Sequence, residues 1–132
     1  MTDRMTSDEI VGFSRDKGFA AQILYAIITE PVNGLEPIRA NAEAHLEHQL
    51  KLEAEGVMFA SGPLMTEDGR FYDGAGMIVI RAGSLEEADA VAKRDPMHAS
   101  GARTYRILPW LVNEGSFSFT VRISDFRATP TV

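Results

Sequence analysis

The chain has 132 residues, 45% of them hydrophobic and 8% aromatic, enough for one domain built on one core. Nineteen Asp+Glu against thirteen Lys+Arg give a formal charge of −6, and an acidic chain without a basic stripe lacks the electrostatic footprint of a nucleic-acid or anionic-membrane binder. The absence of cysteine excludes disulfides, thiolate nucleophiles and Cys-ligated clusters, and is compatible with a cytoplasmic location.

Residues 1–20 read as an N-terminal extension. Ser7 followed by Asp8 and Glu9 predicts an N-cap with first-turn acids and a short helix to about Lys17. This charged start has no apolar h-region of the secretory kind, and the longest apolar run, around Phe19 to Ile28, is far shorter than the ~20 residues a membrane helix requires. Gln22 to Thr29 is nearly all apolar and rich in β-branched residues, which predicts a central buried strand ended by Pro31, Asn33 and Gly34. From Glu36 to Glu55 the pattern turns helical: Ile38, Ala42, His45 or Leu46, Gln49 and Leu52 recur at three and four residues, and Gly56 follows as C′. Val57 to Ser61 is the second strand, ending at Gly62-Pro63. The two Asp-Gly pairs of TEDGRFYDGAG predict a hairpin loop before a third strand, Gly76 to Ala82. Ser84 caps a second helix, with Glu87 in capping-box position, and Pro96 stops it after Asp95. Arg103 to Leu111 is a fourth strand, and Ser116 to Ile123 alternates as a fifth.

That order, β-α-β-β-α-β with an appended C-terminal strand, is the ferredoxin-like α+β arrangement. It places the domain at 21–112, between the N-terminal extension 1–20 and a C-terminal extension 113–132. Helices cover one face of such a sheet, and a second copy of the chain is the expected cover for the other. A homodimer of the dimeric α+β barrel kind follows, with Trp110, the only tryptophan, in the core or at the interface.

The residues with chemistry to offer are few. His45 falls beside the apolar stripe of the first long helix and faces inward, whereas His48, three positions on, faces more toward solvent. With no HExxH and no third ligand in sight, the pair makes no metal site. Asp95 ends the second long helix, where the dipole disfavours a carboxylate. The two helices run antiparallel on one face, which brings Asp95 toward His45. A carboxylate on one imidazole nitrogen fixes the tautomer and leaves the other nitrogen free as a base. Taken alone, the same residues also fit an ordinary core-edge histidine and a turn-forming Asp-Pro. Gly62 and Pro63 are candidates to line a pocket, and the loop after Asp95 offers His98 and Ser100 as binding groups. No phosphate loop, dinucleotide fingerprint or nucleophile elbow is present, so no cofactor is implied.

The segments AHLEHQLKLEAEGVMFASGPL and DGAGMIVIRAGSLEEADAVAKRDP, with the strand leading to Pro109, resemble the YCII-related (YciI-like) family over roughly residues 20–112. Its pattern of a helix-borne His, a Gly-Pro after the second strand, a Ser-led helix and an Asp-Pro falls here on His45, Gly62-Pro63, Ser84 and Asp95-Pro96. The resemblance implies a ferredoxin-like dimeric α+β barrel whose pocket holds a His-Asp pair. The activities it implies are cofactor-free lyase or isomerase steps on oxidised aromatic-ring products, such as dehydrochlorination or lactone isomerisation. Many members carry an Arg three residues before the His, where this chain has Ala42; Arg39 is then the candidate for reaching the same pocket. Two functions of different class stand at this point: a His45–Asp95 acid–base enzyme acting on a small molecule, and a non-catalytic module that binds one. A pocket that reaches the free nitrogen of His45 separates them.

Overall fold

The computed structural model describes residues 3–131. The chain divides into two compact units, Gln22–Leu111 and a second made of residues 3–21 together with 112–131.

In the larger unit, strands β1 (Gln22–Pro31), β2 (Met58–Pro63), β3 (Gly76–Ile80) and β4 (Arg103–Val112, its last residue belonging to the other unit) form one sheet in the order β2-β3-β1-β4. β3 runs antiparallel to both β1 and β2, so the βαβ unit is split by β3 as in the ferredoxin-like fold. The strands carry helices α2 (Glu36–Ala54) and α3 (Leu85–Arg94), and the short α4 (Pro96–Ala99). Tyr25 and Ile27 of β1, Ile78 and Ile80 of β3, and Ala88 and Ala92 of α3 make the main core, joined by Leu52 of α2 and Met58. Leu24, Ala26 and Val79, of opposite phase, are buried as well, which accounts for a β1 sequence with little alternation.

Local chemistry sets the boundaries. Ser84 caps α3 by accepting from the Glu87 amide. Gly62 and Pro63 do not follow β2, as expected, but belong to it, opposite Met77 and Gly76; a proline is tolerated there because β2 lies at the sheet edge. Asp95 is not merely the end of a helix. The residue before a proline is pushed out of the α region, and Asp95 accordingly has ψ 126°, which stops α3 and makes it the N-cap of α4. Its carboxylate accepts from the Met97 amide at 2.9 Å, a favourable position at the start of one helix that offsets the unfavourable one at the end of another.

In the second unit, α1 (Ser7–Asp16) is capped by Thr6 rather than Ser7, in a capping box with Glu9. The two termini, read from sequence as separate extensions, belong to this one unit: the Ala20 amide donates to Asn113 O at 3.1 Å, and Asn113 Nδ2 to Ser14 Oγ at 2.9 Å. The appended strand is shorter than expected, Ser118–Val121 (β5), and it pairs with β6 (Ala128–Thr131) in a separate two-stranded sheet. Proline and threonine in RATPTV carry little strand signal, and the hairpin supplies the partner. Among the described residues no helix is long and apolar enough to cross a membrane.

Candidate functional site

His45 sits at the middle of α2, half-buried with 15% of its side chain exposed, and Asp95 is 2% exposed. Met97 anchors α4 against Ile38 and Ala102, with Ala42 beside them, and this docking brings Asp95 to the histidine. His45 Nδ1 lies 2.8 Å and 3.0 Å from the two carboxylate oxygens of Asp95. Gln49, one turn further along α2, donates to Asp95 Oδ2 at 3.3 Å, and its amide nitrogen lies 3.4 Å from His45 Nε2. Burial opposes ionisation of Asp95, but the bonds from His45 and from the Met97 amide outweigh it and hold the carboxyl below its ordinary range. An ionised Asp95 fixes the proton on Nδ1 and leaves Nε2 as the basic nitrogen.

A cavity of about 450 Å³ opens between α2 and the β2–β3 edge of the sheet. His45 and Gln49 line it, with Ile38, Arg39 and Ala42 on one side and Gly62, Pro63, Gly76 and Ile78 on the other. This volume suits a small organic ligand. Of the residues singled out from sequence, the structure therefore brings His45, Gly62, Pro63 and Arg39 to one cavity, with Asp95 directly behind His45.

It does not bring His98 or Ser100 there. Both nitrogens of His98 are used by the chain: Nδ1 donates to Ala92 O at 2.7 Å, Nε2 bonds Thr29 Oγ1 at 2.9 Å, and the ring stacks 4.4 Å from Tyr105. Burial holds this imidazole below its ordinary pKa despite the Ala92 carbonyl and the nearby Asp95. Ser100 is exposed and accepts from the Ala102 amide at 3.3 Å, closing the turn after α4. His48 is half-buried rather than solvent-facing, its Nε2 is buried without a partner, and burial lowers its pKa too. Trp110 is 43% exposed, so the core of this chain does not take it up. Among the described residues no three metal-ligating side chains cluster.

Among the lining residues that sequence reasoning missed are Gln49, Tyr72 and Arg103. Gln49 is a polar residue in the inward phase of α2. Arg103 is a charge in phase with Tyr105 and Ile107, which pack on the core; both were signals available in the sequence. Tyr72 belongs to the β2–β3 loop, where no periodicity marks it.

The YCII-related domain model matches residues 23–111. No curated protein matches the chain significantly. Among solved structures, the 5-chloro-2-hydroxyhydroquinone dehydrochlorinase TftG from Burkholderia phenoliruptrix AC1100, in complex with 2,5-dihydroxybenzoquinone, aligns with a TM-score of 0.54 and 22% identity, over 66% of this chain and 92% of that one. The fold is thus the α+β ferredoxin-like fold of that neighbour.

Proposed function

The chain belongs to the YCII-related family, and from that premise we propose that it is a cofactor-free lyase or isomerase working by His45–Asp95 general acid–base catalysis on a small, ring-derived molecule. The observation that carries this reading is the 2.8 Å contact of Asp95 with His45 Nδ1 at the wall of a ligand-sized cavity. Asp95 holds the tautomer, and Nε2 exchanges the proton. In a loss of HX from an activated ring, the proton goes to Nε2, its bonding pair forms the new double bond, and X leaves with its own pair. In an isomerisation the same nitrogen returns the proton at a second carbon. No metal or organic cofactor takes part in either scheme. The reading includes a cytoplasmic homodimer, with Leu108 and Trp110, 45% and 43% exposed, on the sheet face away from the helices. Light scattering should return twice the chain mass.

The chemical test is chloride release from chlorinated hydroxyhydroquinones, the substrate class named for the dehydrochlorinase neighbour. His45→Ala should lower the rate by about 10²–10⁴-fold with the fold intact. Asp95→Asn should lower it less, because the imidazole remains and loses only its orienting charge. Turnover of an identified substrate that is indifferent to both substitutions would overturn the acid–base reading, and ligand binding with no turnover at all would leave only a binding module.

A further inference from the structure

Proton exchange at His45 leaves one charged group of the cavity without a task. Arg103 opens β4 on the face shared with Tyr105 and Ile107, and it is only 7% exposed. Its Nε donates to Gly74 O at 2.9 Å and its Nη2 to Tyr72 Oη at 2.8 Å. Both acceptors are neutral. The ion pairs among the described residues are His45–Asp95, Lys93–Asp89 and Arg122–Asp125, so no carboxylate of the described chain neutralises Arg103. A buried charge is ordinarily paired, because removing it from water is costly.

The free edge of this guanidinium has space before it. Nη1 has no acceptor among the described residues. It lies beside Gly76, where an added Cβ would stand 3.8 Å from Nη1 and 3.4 Å from Gly62 O. Glycine thus keeps the cavity open at the guanidinium. Gly74, which holds Nε, packs near Ile38 at the start of α2, and Arg39 lines the cavity from that same end. Glu53, the carboxylate of the lining, comes fourteen residues after Arg39 on the helix, about 21 Å away along its axis. Arg39 and Arg103 therefore line the cavity away from Glu53, and its other acidic neighbour, Asp95, is taken up by His45.

We propose that this cavity selects an organic anion, a ring-sized molecule whose carboxylate or ionised hydroxyl pairs with Arg103 Nη1. The inference rests on the cavity being the site of His45 chemistry, and it narrows the substrate class to molecules that carry a negative oxygen. Charge-assisted bonds from a guanidinium are about twice as strong as neutral ones, and a desolvated partner strengthens them further.

The test is calorimetric titration of the full chain with 2,5-dihydroxybenzoate and with 2,5-dihydroxybenzamide, which differ in charge and hardly in shape. The acid should bind at least about tenfold more tightly at neutral pH. Arg103→Gln should bring the ratio close to one. Because that change also removes the bonds to Gly74 and Tyr72, Gly76→Val is the second variant: it keeps Arg103 in place, fills the space before Nη1, and should abolish the preference equally. Equal affinities in the wild type, no binding of either probe at millimolar concentration, or a preference that survives in folded Arg103→Gln would each overturn the proposal. Binding needs no turnover, so the two readings fail separately. A preference for the anion alongside a rate indifferent to His45→Ala sinks only the catalytic reading. His45-dependent chloride release with no preference sinks only this one.

Discussion

Under α3 the sheet is closed by alanine: Ala88 and Ala92, 0% and 2% exposed, pack with Ile27, Ile78 and Ile80. Under α2 the same face of the same sheet borders a cavity of about 450 Å³, and Leu46 and Leu50 at its wall remain 59% and 63% exposed. Small side chains let α3 approach the sheet closely. The inward side of α2 instead mixes Ala42, His45 and Gln49, and only Leu52 near its end reaches the common core. One half of the face supplies stability, and the other holds buried polar groups at fixed distances around an opening. The difference lies in which residue types occupy the inward phase of two helices.

The largest stability effect should come from breaking the closed half. Ile80 is 0% exposed, and Ile80→Ala removes methyl groups that are wholly buried in the core. A loss of about 2–5 kcal/mol is expected, read as a lower midpoint in urea with an unchanged slope. A change below about 0.5 kcal/mol, the size of an ordinary surface substitution, would mean that the core under α3 is looser than described.

A matched pair sharpens the comparison. Ala88→Leu forces a larger side chain into the closed half and should cost about 1–3 kcal/mol through overpacking. Ala42→Leu makes the same chemical change on the cavity side, where space exists, and should cost less than about 1 kcal/mol. It should nevertheless occupy volume beside His45 and weaken ligand binding. Equal destabilisation by the two changes would erase the distinction between the halves.

The closed half was the more legible in the sequence. The Ser84–Glu87 cap, the stop at Pro96 and the apolar run of β1 each depend on local chemistry, and local chemistry is what periodicity and capping report. The His45–Asp95 meeting was legible too, since it needs only the phase of one helix, the end of another and the topology that joins them. What escaped depends on distant partners. His98 was read as a loop residue open to ligand, but Thr29, sixty-nine positions earlier, takes up its Nε2. Arg103 was read as one more strand residue, although its phase with Tyr105 and Ile107 marks a charge on the core side. Residues 113–132 offered one alternating stretch, whereas the second strand of the hairpin, with Pro130 in it, has almost no signal of its own.

The smallest effect is in the pH dependence of stability, and it belongs to the polar half. Burial holds His48 and His98 below the ordinary imidazole value of 6.5 in the folded chain, so between their folded values and 6.5 the unfolded chain binds more protons. Stability then rises with pH across that window, and as pH falls below 6.5 it is lost. Asp95 has the same sign in a lower window: its folded value lies below 3.8, so its contribution is full above 3.8 and disappears only as pH falls through the folded value. Acid unfolding should therefore begin with the histidines, well before the carboxylate is reached. His48→Leu isolates one of them. It removes a titrating ring whose buried Nε2 has no partner, and Ile27, Leu52, Ile78, Val91 and Ala92 border the same space beside Gln49, Asp95 and His98. Stability at pH 8 should be unchanged or slightly higher, and the slope between pH 6.5 and 5 should be shallower by at most one proton's worth. Urea midpoints measured at those pH values decide it: an unchanged slope in His48→Leu would place the acid sensitivity on His98 alone.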